Sequence, residues 1–192
     1  MEKLKLNVPP KCLTFKYQKT NSMIKKLLFA GAIAILSIAS SDAQTLKTPA
    51  PSPAATVSQD FGLATIQLSY SRPGMKGRKI FGDVVPFGKV WRTGANEATV
   101  FEVSKAVKVE GKSLPAGKYS LYTIPGEKEW TVMINKSWNQ SGTEYDQAQD
   151  ALRFTVKPVK SASFTERMTF KIAKTGVVSL IWGDHQVNFS VK

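Results

Sequence analysis

The sequence predicts an all-β domain, an antiparallel β-sandwich of about eight or nine strands with one short helical crossover. Apolar and polar residues alternate along most of the chain after residue 58, as expected of strands with one buried face. Short Gly- and Pro-containing turns separate the alternating segments. This part of the chain has about 135 residues, close to the commonest size of a single domain. A half-open barrel is the second choice of architecture.

Residues 23–43 are predicted to be a signal peptide. Lys25 and Lys26 precede a run of about 13 apolar residues, and small residues stand at 41 and 43, so we expect cleavage after Ala43. A transmembrane helix is the alternative, but 13 residues rise only ~20 Å, less than a hydrocarbon core. We therefore expect export to the periplasm or the medium, without stable membrane insertion after cleavage.

Residues 1–22 lie ahead of this signal and show no apolar periodicity, so they are interpreted as a non-native upstream extension, with translation starting at Met23. They contain Cys12, the only cysteine, and the mature chain is therefore expected to have neither a disulfide nor a thiol nucleophile. Residues 44–58 are rich in Pro, Ala, Ser and Thr and are interpreted as a flexible linker. The β-sandwich domain is then residues 59–192.

The strands are assigned by their period of two. Hairpin turns are predicted at residues 110–112, 115–117, 125–128, 174–176 and 183–185. Residues 141–152 break the alternation, and Thr143 is a candidate cap for a single helical turn that crosses between the sheets. The alternating segments are 64–70, 98–104, 119–124, 130–135, 152–157, 168–172, 177–182 and 187–191.

The loop at residues 114–117, Leu-Pro-Ala-Gly, leads into a strand that carries Tyr119. Proline ends the loop and glycine permits a tight entry into the strand, so Tyr119 is expected to pack at this corner. This pattern predicts a feature of the fold and no function.

The charge of the chain argues against nucleic acid as a partner. The full sequence has 27 Lys and Arg and 14 Asp and Glu, of which residues 1–43 hold seven and two, so the mature chain keeps a net charge of +8. Its lysines are spread along the strands rather than concentrated in one element with aromatic residues. An acidic surface polymer stays open as a partner.

Two long motifs resemble the domain of unknown function family 2911, which is found mostly in exported proteins of Bacteroidota. They are SRPGMKGRKIFGDVVPFGKVWRTGANEAT at residues 71–99 and LPAGKYSLYTIPGEKEWTVMIN at 114–135. The resemblance continues at residues 145–157 and covers roughly 58–192. It implies an exported β-rich domain and no particular reaction.

The residue types present exclude a zinc or copper site of the usual His-rich kind. The mature chain has one histidine, His185, and no cysteine, so no cofactor is expected and the metal prediction is none. The densest acidic group is Glu144, Asp146 and Asp150, which is interpreted as a solvated helical turn rather than a calcium loop.

Two hydrolase hypotheses start from other residues. Asp184 and His185 are adjacent on a strand and are expected to point to opposite faces, which argues against a serine hydrolase. A glycosidase-like envelope hydrolase would need Glu97 and a second carboxylate, Asp83 or Glu102, across a cleft. Arg92 and Asn96 near Glu97 favour its ionised form and weaken this alternative.

The favoured hypothesis is a binding or structural module of the bacterial envelope, and the envelope hydrolase stays open as the alternative. Arginines in the irregular segments before and after residue 80 offer guanidinium groups to an anion, and Trp91 offers a stacking wall for a sugar. In the competing interpretation the segment is a polar plug, in which Arg92 pairs with Glu97 and Trp91 closes the end of the sandwich. The candidate ligand-binding residues are Arg72, Lys76, Arg78, Trp91, Arg92, Asn96 and Glu97.

Overall fold

The structure, a computed structural model, describes residues 50–192. Within this range the chain forms ten strands and one short 3₁₀ helix, and all the strand pairs are antiparallel. The strands are β1 (Ala54–Phe61), β2 (Ala64–Ser71), β3 (Thr99–Val103), β4 (Val107–Val109), β5 (Lys112–Leu114), β6 (Gly117–Ile124), β7 (Trp130–Asn135), β8 (Asp150–Val156), β9 (Val159–Ile172) and β10 (Val177–Ser190).

One layer of the sandwich is a six-stranded sheet in the order β1-β2-β3-β6-β7-β8. Burial alternates strictly along β2 and β3, because successive side chains of a strand point to opposite faces and one face of this sheet covers the core. The sequence period of two thus places Ile66, Leu68 and Phe101 in the interior.

The opposite layer combines the long β9–β10 hairpin with the short β4–β5 hairpin. Backbone hydrogen bonds attach β4 to the end of β10: Lys108 and Lys192 exchange two bonds, and the Glu110 N–H donates to the Ser190 carbonyl at 2.9 Å. Between the layers, the ring of Phe189 on β10 packs against Phe101 and Phe154 from the six-stranded sheet. The predicted antiparallel β-sandwich is confirmed.

Two predictions about strands are wrong. Ala54–Phe61 form β1 and pair with β2 along their full length, so residues 54–58 belong to the sheet and not to the linker. Their Ala- and Ser-rich composition hid the alternation, because only Val57 contributes a large apolar side chain there. The predicted turn at 183–185 lies inside β10, which continues through it with register shifts on both sides of Gly183.

The helical crossover is also corrected. A single turn of 3₁₀ helix occurs at Gln147–Gln149, but Asp146 rather than Thr143 caps it, through a 2.9 Å bond from the Ala148 N–H. The segment joins β7 to β8, which are neighbours in the same sheet, so it does not cross between sheets. The predicted turn at 115–117 likewise does not form a hairpin, because β5 pairs with β4 and β6 pairs with β3 and β7.

The corner at Tyr119 forms as predicted. Its ring is buried, and its hydroxyl donates to the Pro115 carbonyl at 2.9 Å. No helix in residues 50–192 is long and apolar enough to cross a membrane. The predicted signal peptide, the upstream extension and residues 44–49 of the linker lie outside the described residues.

Candidate functional site

The connection between β2 and β3, residues 72–98, closes one end of the sandwich by bonding to both layers. On one side, the Met75 N–H donates to the Glu166 carbonyl of β9 at 3.0 Å. On the other side, Trp91 and Thr123 of β6 exchange two backbone bonds of 2.7 and 2.9 Å. A segment with backbone bonds to both sheets is a rigid support for side chains at the sandwich end.

Phe81 is the centre of an aromatic cluster beneath this connection. Its ring centroid lies 4.7 Å from Trp130, 5.1 Å from His185 and 6.0 Å from both Trp91 and Trp182, always in edge-to-face or tilted orientations. Trp91 stacks on Trp182 at 5.9 Å with an interplanar angle of 20°. Such ring pairs add to the stability gained from burial, so the cluster fixes the walls around it.

One cleft beside the cluster, which we name the basic cleft, has a volume of about 210 Å³. Three of its side chains are cationic, Arg78, Lys89 and Arg92, and its lining contains no carboxylate. Trp91 and Trp182 form part of its wall. The remaining lining residues are Pro73, Val84, Val85, Pro86, Val90, Gly94 and Ala95.

Two of the arginines proposed as ligands are occupied by the fold. Arg72 donates from Nε to the Met168 carbonyl at 3.0 Å and from Nη2 to Thr169 Oγ1 at 2.7 Å, and it does not line the basic cleft. Arg78 lines the cleft but donates two 3.0 Å bonds to the carbonyls of Met75 and Gly74. Both guanidinium groups keep their positive charge, but these N–H donors already bond to the protein and hold the β2–β3 connection in place.

Arg92 differs from both. Its Nε atom is buried and has no hydrogen-bond partner among the described residues, and its side chain forms no ion pair with them. The side chain packs closely on Gly142, where a methyl group would collide with Arg92 Cδ and with the Asn96 carbonyl. A buried donor without a partner costs about 1–3 kcal/mol, so its retention calls for an explanation beyond packing.

The backbone next to Arg92 is also strained. Thr93 has a φ of 54°, a conformation that β-branched residues rarely adopt, and it is fully buried. Its hydroxyl lies 3.1 Å from Thr123 Oγ1, and its carbonyl accepts a 2.7 Å bond from Thr99 Oγ1. Strain of this kind costs about 1–3 kcal/mol and is concentrated at ligand sites in proteins.

The predicted Arg92–Glu97 ion pair is absent from the described residues. Glu97 is exposed and lines a separate open cleft of about 420 Å³ with Trp138, Asn139 and Gln140. The polar-plug interpretation is wrong on this point, although Trp91 does close the sandwich end as that interpretation expects.

Lys76 and Asn96 lie outside the lining of the basic cleft as well. The Lys76 N–H donates to Glu166 Oε1 at 2.8 Å, and Asn96 Nδ2 donates to Ser71 Oγ at 3.1 Å. Both residues have positive φ values, 51° and 60°, which indicates a role in turning the chain. The structure thus brings together Arg78, Trp91 and Arg92 from the predicted set and adds Lys89.

The carboxylates of the alternative hydrolase do not share a cleft lining. Glu97 is the only carboxylate lining its cleft, which includes neither Asp83 nor Glu102. Glu102 lies on β3 and pairs with Lys118 at 3.5 Å, and Asp83 is exposed in the connection. The geometry in the described residues therefore offers no opposed carboxylate pair around Glu97.

The prediction that Asp184 and His185 point apart is wrong. Asp184 Oδ1 lies 2.8 Å from His185 Nδ1, because the bulge at Gly183, with a φ of 64°, interrupts the regular alternation of β10. Both residues line a second cleft of about 360 Å³, which we name the aromatic cleft. Its other lining residues are Met75, Lys79, Ile80, Phe81, Phe87, Gly126, Glu127, Trp130, Pro158 and Trp182.

The acidic group at residues 144–150 is used by local structure. Asp150 accepts hydrogen bonds from Asn135, Tyr145 and Arg153, and Asp146 caps the 3₁₀ helix. Burial and, to a smaller extent, the hydrogen bond to Asp150 raise the pKa of Tyr145 to about 12. Within residues 50–192 no group of three His, Cys, Asp or Glu side chains is placed to hold a metal ion.

Sequence reasoning missed Lys89 and the aromatic cleft for different reasons. Lys89 stands in the GKVW stretch two residues before Trp91, so its nearness to Trp91 in the sequence could have predicted that both residues line the same cleft. His185 and Phe81 are about a hundred positions apart, and their contact depends on the pairing of β9 with β10 and on the bulge.

These observations define an all-β sandwich protein whose β2–β3 connection builds two chemically different clefts at one end. Residues 52–191 match the family described as "Protein of unknown function (DUF2911)", and the chain belongs to that family. The resemblance drawn from the two motifs is confirmed. No curated protein and no solved structure matches the chain.

Proposed function

We propose that this protein is an exported binding module of the bacterial envelope, and that its basic cleft takes a small anionic ligand such as a phosphate, a carboxylate or an acidic sugar. The signal-peptide pattern at residues 23–43 supports export. The observation that carries the ligand class is the convergence of Arg78, Lys89 and Arg92 on a cleft without a lining carboxylate.

The chemistry of Arg92 strengthens this proposal. A guanidinium group is planar and presents several donors, which matches the paired oxygens of a carboxylate or phosphate. No described residue accepts a hydrogen bond from the buried Arg92 Nε. Arg92 as a whole is only partly buried and lines the cleft, so its guanidinium charge lies beside the space that an anion would occupy. Trp91 supplies an apolar wall beside the charges, which suits the ring of an acidic sugar.

A thermal-shift and calorimetric screen tests the proposal, with phosphate, sulfate, acetate and glucuronate as probes and glucose as the neutral counterpart. We expect the anions to raise the melting temperature and glucose to leave it unchanged. Binding should weaken as ionic strength rises, because the charges at the cleft are screened.

Variants assign the effect to the cleft. Lys89→Ala removes an exposed charge and should weaken anion binding about tenfold with the fold intact, since a charge-assisted contact is worth about 1.5 kcal/mol. Lys136→Ala, an exposed lysine on another part of the surface, is the matched control and should change nothing. Arg92→Ala should abolish binding in a folded protein.

Two results would contradict the proposal. One is an absence of protection by every anion, and the other is equal anion affinity in Lys89→Ala and Lys136→Ala. If Arg92→Ala unfolds the domain while Lys89→Ala binds anions normally, Arg92 has a structural role. The polar-plug interpretation then holds without the pairing of Arg92 with Glu97.

A further inference from the structure

We propose that the aromatic cleft is a second binding site, for a small neutral ligand that has a planar apolar ring and a hydroxyl group. This site is separate from the basic cleft and does not depend on the proposed anion binding. The two clefts share only Trp182 in their linings.

The cavity accounts for the apolar part of the ligand. Its volume of about 360 Å³ falls in the range of small-molecule sites, and its walls are mainly aromatic and aliphatic. Phe87 is 36% exposed at the mouth, and its ring rests on Gly82, where a Cβ atom would lie 2.8 Å from the ring. Phe87 and the edge of the Phe81 cluster therefore offer fixed surfaces to a flat ring.

The Asp184–His185 pair accounts for the polar part. The Asp184 carboxylate beside Nδ1 favours a proton on that nitrogen, which leaves Nε2 of the imidazole as a hydrogen-bond acceptor. The side chain of His185 is 51% exposed, and its ring packs on Phe81 at 5.1 Å. The acceptor is thus held beside the aromatic wall and is accessible to a ligand hydroxyl.

The charges around this cleft favour a neutral ligand over an anion. Lys79 and Glu127 contribute opposite charges to the lining, and Asp184 adds a negative charge. Lys160 lines only the adjoining groove, which it shares with Glu127, Asp184 and His185. An anion would meet two carboxylates here, whereas the basic cleft has none in its lining.

Phenol and toluene, which differ mainly in a hydroxyl group, are suitable probes for an NMR titration at pH 8. The protein has four tryptophans, and their indole N–H signals report separate places. We expect phenol to shift the signals of Trp130 and Trp182 with saturation, and to leave Trp138, which lies on another surface, unmoved. Toluene should bind about fivefold more weakly, since it lacks one hydrogen bond.

Variants separate the two parts of the site. His185→Phe keeps a ring beside Phe81 and removes the acceptor, so it should lower the affinity for phenol about fivefold and leave toluene unchanged. Phe87→Ala should weaken both probes. Lys136→Ala, an exposed lysine that lines neither cleft, is the control and should alter neither.

The proposal is overturned if phenol produces no saturating shift, or if Trp138 shifts as much as Trp130. It is also overturned if His185→Phe weakens phenol and toluene equally, which would show a general loss of packing. Asp184→Asn provides a second variant: it keeps the side-chain shape, removes the charge beside Nδ1, and should weaken phenol selectively.

Discussion

The basic cleft and the aromatic cleft lie against the same tryptophan, Trp182, yet they are constructed differently. The charges of the basic cleft all come from the β2–β3 connection, at Arg78, Lys89 and Arg92. The polar pair of the aromatic cleft comes from a bulge in the regular strand β10. One packed aromatic cluster therefore supports two openings, and the backbone around it decides which chemistry each one presents.

The two clefts also differ in how their polar groups are satisfied. In the basic cleft, Arg92 keeps a buried donor without a partner in the described residues, next to the strained Thr93. In the aromatic cleft, His185 already has a charged neighbour in Asp184, and both side chains are exposed. The positive charges of the first cleft, without a lining carboxylate, favour an anion, and the second arrangement favours a ligand that needs a single acceptor.

Removal of Phe81 should affect both clefts, because both depend on its contacts with Trp91 and Trp182. We expect Phe81→Ala to lower the free energy of unfolding by about 3–5 kcal/mol, as for other large aromatic side chains in cores. Denaturant unfolding measures this loss. Phe164→Ala makes the same chemical change at a side chain that is 66% exposed and should cost about 0.5 kcal/mol or less. Equal losses in the two variants would mean that the cluster is not a shared support.

A methyl group at Gly142 should affect the two clefts differently, because it collides with Arg92, which lines the basic cleft, and with the Asn96 backbone, and none of these residues lines the aromatic cleft. We expect Gly142→Ala to cost about 1–3 kcal/mol of stability through overpacking. Thermal shift should show reduced protection by phosphate, while the phenol-induced shift of Trp130 persists. Retained phosphate protection would argue against the observed placement of Arg92.

The smallest effect is expected at the bulge. Gly183 has a φ of 64°, and a Cβ atom there would lie 3.1 Å from Met75 Sδ, so Gly183→Ala should cost about 1–2 kcal/mol and weaken phenol binding. Gly62→Ala is the matched control: its φ is 58° and nothing lies within 4 Å of the added atom. The control should lose a similar free energy of unfolding through its positive φ and should bind phenol normally. Unchanged phenol affinity in Gly183→Ala would separate the bulge from the aromatic cleft.

Much of the fold was predictable from local patterns. Strands β2 and β3 follow a period of two in which every second side chain is buried, and the Tyr119 corner follows from Pro115 and Gly117. The errors occurred where the local pattern was weak or interrupted. The Ala- and Ser-rich start of β1 has little apolar contrast, and Gly183 resembles a turn although pairing with β9 keeps the strand continuous.

Prediction of the candidate sites was less complete. The sequence indicated Arg78, Trp91 and Arg92 because they lie in one irregular basic stretch, and these three residues do line one cleft. It could not separate them from Arg72, whose donors are taken by Met168 and Thr169 of β9, almost a hundred positions away. Hydrogen-bond commitments of this kind depend on partners that only the folded chain brings near.

The fold class, the family, the corner at Tyr119 and the position of the irregular connection follow from the sequence alone, because these depend on local periodicity, turn chemistry and continuous motifs. That Arg92 and Glu97 line different clefts, and that Asp184 meets His185, is evident only in the folded chain. Arg92 packs on Gly142, about fifty positions away, and Asp184 follows the bulge at Gly183 with its positive φ, so local spacing cannot locate these side chains.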